Sequence, residues 1–285
     1  MKPAQFAYEK PKNLAELFGL LSEYGADATI LAGGQSLMAT MNMRLSAPDV
    51  LVDINGLSEL SGISISAGSL RIGALTRHCD VAESKEVKDH VPLIHRAMPH
   101  VAHAAIRNRG TFGGSVALAD PASEIPACIL CLDGEIEMTG AMGVRRVPAI
   151  KYFKGLYETD LQEGEIITAV HLPIISDGQC HAFEEITRRH GDYAMVGLAA
   201  IATVSGTTLA NIRLVYFGVG ATPMLAVNAG AALEGKLDHG RIGAAQTALE
   251  TDLDPFDDIG CSSATKLHLG KVLLDRVTRR LVAAE

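Results

Sequence analysis

The chain of 285 residues has no tryptophan, and aromatic residues make up only 5% of it. Its core must therefore be built from aliphatic side chains, alanine and close backbone contacts, and the 28 glycines agree with that. Positive charge is also in deficit. Lys and Arg total 25 against 33 Asp and Glu, a formal charge of -8, which argues against nucleic acid or an anionic membrane as partner. No apolar run reaches 18 residues, so no membrane span is expected. The start, MKPAQFAYEKPKNLAELF, lacks an apolar signal core, which places the chain in the cytoplasm as an expectation. The five cysteines are odd in number and scattered, so no disulfide framework is expected. Only Cys128 and Cys131 lie close, inside the apolar run IPACILCL without further ligands nearby, and read as buried thiols. Several catalytic signatures are missing too: G-x-x-x-x-G-K-[ST], G-x-S-x-G, and G-x-G-x-x-G after the first strand. Gly218-Val219-Gly220 begins like the last of these, but Pro223 stands where its third glycine would be.

What is present is a mixed pattern of helices and strands, an α+β chain. Asn13 and Glu16 form a helix start before Leu14, Leu17, Phe18 and Leu21, and Gly25 ends that helix. A strand at 28–32 leads into Gly33-Gly34-Gln35-Ser36. Ser36 is expected to cap a Met-rich helix from Leu37 to Leu45, and a strand follows at 50–54. Further strands are expected at 70–74, 135–138 and 166–172. Helices are expected from Thr76, over 93–106 and over 126–132. The turn-rich stretch from Pro173 to Gly178 divides the chain into 1–175, itself split at 55, and 176–285. The second part reads as three antiparallel strands, 181–187, 195–204 and 209–219, with a hairpin at 205–208, then helices at 242–249 and 263–283.

Two glycine pairs carry the chemistry: Ala32-Gly33-Gly34-Gln35-Ser36 and Thr111-Phe112-Gly113-Gly114-Ser115. Paired glycines let successive backbone N–H groups converge on an anion, and Ser36, Thr111 and Ser115 add hydroxyls. One such segment is most often just a turn; two could grip the two phosphates of one diphosphate. Asp120 and Glu124 follow the second pair directly, where ribose hydroxyls suit a carboxylate better than phosphate does. The run from Arg188 to Tyr193 reads either as a solvated loop or as a site-lining loop. In the second case Tyr193 could stack on a ring, and Arg188 or Arg189 could meet an acidic partner. His100 and His103, three apart on the expected helix, have no carboxylate at helical spacing and read as structural or surface residues.

The segments AGGQSLMATMNMRL, IRNRGTFGGSVALADPASEIP and RRHGDYAMVGLAAI resemble the FAD-binding medium subunit of the molybdenum hydroxylases, the xanthine dehydrogenase and carbon monoxide dehydrogenase family. The resemblance covers essentially the whole chain. It implies a vanillyl-alcohol-oxidase-like fold, with two α/β subdomains clasping FAD and a C-terminal three-stranded antiparallel sheet with helices. It implies diphosphate contacts from Ala32 to Ser36, with Leu37, and from Thr111 to Ser115. Asp120 and Glu124 would lie near the ribityl chain and ribose, although the family commonly has Asp at the position of Glu124. Tyr193 would lie beside the isoalloxazine ring, and Ile166 and Ile167 near the adenine. By the same resemblance the chain is an electron-transfer oxidoreductase subunit without catalytic acid–base residues or metal of its own. A large molybdenum–pterin subunit and a small [2Fe–2S] subunit would be its partners, in a dimer of heterotrimers. Five cysteines cannot supply the eight ligands of two clusters, so those must lie on another chain. The substrate, an N-heterocycle at family level, and the external acceptor stay open. So do two alternatives: a carbon monoxide dehydrogenase subunit, from which Gln35 in place of a frequent His tilts away, and a self-sufficient flavin oxidase.

Overall fold

The computed structural model describes residues 2–283. The N-terminal unit is a parallel sheet in the order β1 (Ala7–Glu9), β3 (Val50–Asp53), β2 (Ala28–Leu31), covered by helix α1 (Leu14–Tyr24). Its start forms as the residues require. Asn13 accepts the Glu16 N–H at 2.9 Å, and the Glu16 carboxylate reaches back to the Lys12 N–H at 2.8 Å. Leu17 and Leu21 are its buried positions. Helix α2 (Leu37–Asn42) is shorter than expected, and the Ser36 side chain makes no capping bond, because Ser36 already has helical dihedrals. Arg44, at φ 60, turns the chain out of the helix before Leu45.

The second unit is a wholly antiparallel sheet of order β4 (Ile63–Ser66), β5 (Ser69–Gly73), β10 (Ile166–Pro173), β6 (Glu135–Gly140), β7 (Gly143–Pro148). Short helices follow its strands: α3 (His78–Glu83), α4 (Lys85–His90), α5 (Pro92–Ala97), α6 (Ala104–Arg107), α7 (Phe112–Leu118), α8 (Glu124–Cys131) and α9 (Ala149–Tyr152); α4, α7 and α9 lie directly against it. The ribbon β8 (Phe153–Gly155) and β9 (Glu158–Thr159) follows α9. The single helix expected over 93–106 is two, α5 and α6. Met98 still has helical dihedrals, but Pro99 has no N–H to continue the helical ladder, so α5 stops at Ala97. His100 and His103 therefore share no helix. Every residue of α8 is buried, Cys128 and Cys131 included, as a helix apolar all round must be.

The third sheet runs β11 (Gln179–Ile186), β12 (Val196–Ser205), β13 (Thr208–Phe217) and β14 (Met224–Leu225), with β15 (Gly235–Lys236) also on β13. Its strand β12 is buried on both faces. Ala199 and Ile201 point into a core shared with α8, while Leu198, Ala200 and Ala202 point to a second core. That second core lies under α10 (Val227–Leu233), α11 (His239–Asp252) and α12 (Ser263–Ala283). The hairpin at Gly206-Thr207 pairs Ser205 with Thr208.

Gly197 lies opposite Phe217, and a Cβ there would fall 1.9 Å from the ring. Gly197→Ala is expected to lower unfolding stability by about 1–3 kcal/mol through overpacking. Gly243→Ala, with open space around it in α11, is expected to raise stability by roughly 0.5–1 kcal/mol. Paired thermal melts check both, and equal effects would contradict the packing assigned to Phe217.

Candidate functional site

The first glycine pair meets the segment leading into the second, backbone to backbone. A Cβ on Gly33 would lie 2.6 Å from the Arg109 carbonyl oxygen and 2.8 Å from Gly110 Cα. Gly33 is thus required for the close approach of two chain segments, not for room around a ligand. Gly34, at φ 70, makes the turn into α2. A polar strut holds the junction. Asn55 Nδ2 donates to the Ala32 carbonyl at 2.7 Å, Arg77 donates to Asn55 Oδ1 at 2.7 Å, and the same guanidinium donates to the Arg109 carbonyl.

The second pair is not an open turn. Thr111 is the N-cap of α7, its hydroxyl accepting the Gly114 N–H at 3.2 Å. The Phe112 N–H goes to the Thr76 carbonyl, that of Gly113 to Ala74, and that of Ser115 to Thr111. These four amides are committed to the protein, so the expected nest of N–H groups at 112–115 is absent. Phe112 itself is fully buried in the main core and does not border the cavity described below. What this segment offers a ligand is the Ser115 hydroxyl, 3.1 Å from His78 Nε2. Burial pushes the His78 imidazole down to about 4, so it is neutral, and its Nδ1 is buried without a partner. With the proton on Nε2, it donates to Ser115 Oγ and leaves the serine hydrogen free for a ligand.

Between the segments lies a cavity of about 540 Å³, within the range of roughly 300–1,000 Å³ usual for cofactor sites. It is bordered by Ala32 through Leu37, by Thr111, Gly113, Gly114 and Ser115, and by Asp120, Glu124, Ile167 and Tyr193. Fifteen of the sixteen residues expected at the site, Ile166 among them, are therefore gathered at one cavity, Phe112 being the exception. Ile166 belongs to the N-terminal core and Ile167 to the main core, as strand alternation demands. Both border the cavity because β10 begins where the units meet. Sequence reading missed His78, Ile106, Leu161 and Glu165; each is a lone residue of ordinary type whose position only the fold supplies. Glu165 is held in place by a bidentate Arg145, at 2.7 Å to each oxygen.

The acidic end is built from the turn into α8. Asp120 accepts from the Ala122 N–H at 2.9 Å and from the Tyr157 hydroxyl at 3.2 Å. Glu124, at the first position of α8, is 7% exposed, and burial raises its carboxyl to about 7, with Glu185 adding to the shift. Tyr193, 65% exposed, presents its ring at the mouth. Arg188, by contrast, donates to the Gly260 carbonyl at 2.8 Å. Among the described residues no Lys or Arg side chain borders the cavity, so phosphate charge there must be met by backbone N–H groups and hydroxyls. The amides entering α2 are the available set, since a helix start leaves its first N–H groups without intrahelical acceptors. Apolar walls for rings, carboxylates for sugar hydroxyls and a hydroxyl-and-amide cradle fit a flavin dinucleotide.

Residues 4–175 match the FAD-binding domain of molybdopterin dehydrogenases, and residues 181–281 match the C-terminal domain of carbon monoxide dehydrogenase flavoproteins. The chain belongs to the FAD-binding subunit family of the molybdenum hydroxylases. It is 35% identical to 6-hydroxypseudooxynicotine dehydrogenase complex subunit alpha of Paenarthrobacter nicotinovorans, over 97% of this chain and 94% of that one. It is 34% identical to the carbon monoxide dehydrogenase medium chain of Afipia carboxidovorans, over 99% of each. The fold superposes on a chain of quinoline 2-oxidoreductase from Pseudomonas putida 86 with a TM-score of 0.95 at 36% identity, over 100% and 99% of the two. The chain is thus an oxidoreductase subunit with an FAD-binding domain. No described helix is long and apolar enough to cross a membrane.

Gly33→Ala is expected to weaken FAD binding by roughly 10- to 100-fold, because about 1–3 kcal/mol of overpacking forces the two segments apart. The flavin-to-protein absorbance ratio measures this, and full occupancy would show that the junction does not shape the site. His78, depressed from 6.5 to about 4, gives stability that is present above pH 6.5 and lost as pH falls toward 4. The flavin-free chain is expected to lose about 2 kcal/mol from this source between about pH 7.5 and pH 5. His78→Gln should remove that part of the pH slope in chemical denaturation; an unaltered slope would mean the imidazole is not held neutral.

Proposed function

We propose that this chain binds FAD in the described cavity and works as the electron-transfer subunit of a three-subunit molybdenum hydroxylase. The observation that carries the reading is the gathering of the 32–37 segment, Ser115, Asp120, Glu124, Ile167 and Tyr193 around one cavity. The amides of 33–37 and the Ser115 hydroxyl would hold the diphosphate. Asp120 and Glu124 would take ribityl and ribose hydroxyls, Tyr193 would flank the ring, and Ile166 and Ile167 would flank the adenine. Bound FAD supplies a two-electron carrier, and the protein supplies binding, orientation and electrostatics.

The substrate would be oxidised at a molybdenum–pterin centre on a large partner, and electrons would arrive through [2Fe–2S] clusters on a small one. The five cysteines support this division: Cys128 and Cys131 are buried in α8, and the other three are dispersed. We place the assembly, a dimer of heterotrimers, in the cytoplasm, with 1–175 as the FAD-binding part and 176–285 as a C-terminal domain. An N-heterocyclic substrate is supported by the nicotine-derivative and quinoline enzymes among its relatives. The acceptor would be an external NAD, quinone, oxygen or carrier protein.

The isolated chain, purified or reconstituted with FAD, is expected to show an oxidised-flavin spectrum, and the native complex to copurify with the two partners. A colourless chain that refuses FAD would overturn the reading. Tyr193→Ala is expected to retain FAD but to raise flavin fluorescence and change the reoxidation rate about severalfold, on the scale of a lost aromatic contact of roughly 0.5–1.5 kcal/mol. Fluorescence and reoxidation both equal to wild type would remove Tyr193 from the ring.

A further inference from the structure

Behind the acidic end of the cavity lies a cluster of titratable groups that reaches solvent at His100. Glu124 borders the cavity and has no side-chain hydrogen bond to another residue among those described. Across from it, on β11, is Glu185, its side chain only 3% exposed and its Oε2 buried without a partner. Its other oxygen is 3.1 Å from His100 Nδ1, in the turn between α5 and α6. The His100 side chain is 35% exposed, with the His190 ring stacked at 6.2 Å and Phe183 tilted at 5.0 Å. Asp120, bonded to Tyr157, faces Glu124 from the preceding turn, and Tyr193 faces it from the 191–193 loop. Cys128 lies one turn along α8, and its thiol is pushed up by burial. Glu184, also on β11, is turned to Arg276 and Arg280 of α12 at 3.1 Å each.

This cluster holds more carboxyl groups than cations in a place with little water. Two buried carboxylates near each other are costly to ionise together, and the one nearer a counter-charge ionises first. Glu185 has His100, which the carboxylate in turn raises above its ordinary value. Glu124 is not bonded to His100 and feels its charge only at a distance, and it is the member in contact with the cavity.

We propose that Glu124 is a charge-compensating acid: it takes up one proton from solvent when electrons are delivered into the cavity, and releases it when they leave. This rests on the FAD reading above. Two electrons from the iron–sulfur partner and one proton from water leave one added negative charge in the cavity. A second proton from water then bonds to a Glu124 carboxylate oxygen and cancels that charge. Delivery of the electrons to the acceptor returns the Glu124 proton to solvent; the other proton leaves with the electron pair when the acceptor takes a hydride, and to solvent when it takes electrons alone. The coupling is reciprocal: negative charge nearby favours the protonated acid, and the protonated acid favours electron arrival. The resting carboxyl, already at about 7, is divided between its two forms near neutral pH, where uptake can respond.

The test uses the native complex in weak buffer with an indicator dye, counting protons taken up per flavin reduced at about pH 7.5. Wild type is expected to take up a larger count than Glu124→Gln, the difference approaching one proton. In spectroelectrochemical titration, the wild-type potential is expected to fall more steeply with pH from about 7 upward. Glu124→Gln should match it at about pH 6 and lie above it at about pH 8. His100→Gln removes the cation that favours the Glu124 carboxylate, so the steeper section should move to higher pH. This second variant also serves if Glu124→Gln loses flavin. Equal proton counts in wild type and Glu124→Gln, or an unmoved bend in His100→Gln, would overturn the proposal while leaving the FAD reading intact. A wild-type complex without flavin would overturn that reading instead.

Discussion

Backbone meets backbone where Gly33 presses on Arg109 and Gly110, and the cavity exists because nothing stands between them. The N-terminal parallel sheet ends at that point and α7 begins there, so the contact sets how the first two units face each other. Asn55 and Arg77 hold the contact from behind, through hydrogen bonds to the Ala32 and Arg109 carbonyls. A side chain on Gly33 would act on the whole site at once, because it would shift a unit and not a single ligand contact.

The electrostatics of the cavity follow from what was left out of its walls. With no Lys or Arg bordering it, anion binding falls to dipoles and hydroxyls, whose strength depends on exact placement in a low-dielectric setting. A neutral His78 behind Ser115 and a half-neutral Glu124 at the other end keep the net charge small. That suits a site whose occupant changes charge as electrons pass. The third sheet contributes from outside: β11 brings Glu185 to the back of α8, and the loop after it brings Tyr193 to the mouth.

Elements with strong local signals could be read directly. The Asn13–Glu16 start of α1, the all-buried α8 and the hairpin at 206–207 formed where expected, because capping, periodicity and turn chemistry are local properties. Short or half-exposed pieces carried no such signal. The three residues of β1 become a strand only through pairing with β3, and the edge strand β7, Gly-Val-Arg-Arg-Val-Pro, has no buried residue to give it an inward face. The region around Pro99 misled because apolar periodicity continues past a proline that ends the helix.

The sequence by itself marked most of the residues that the fold gathers at the cavity: two glycine pairs with flanking hydroxyls, the acids Asp120 and Glu124, and a tyrosine in a polar run stand out in composition and spacing. Only the tertiary structure decided what each one does. The amides of 112–115 looked free because a sequence shows donors but not their acceptors, and Thr76 and Ala74 were the acceptors waiting for them. Gly33 looked like part of an anion-binding turn and is also the place where another segment of backbone presses in. Glu124 looked like an ordinary carboxylate, and its raised affinity for a proton comes from burial beside Glu185, a residue 61 positions away in the chain (185 − 124) that only folding brings near.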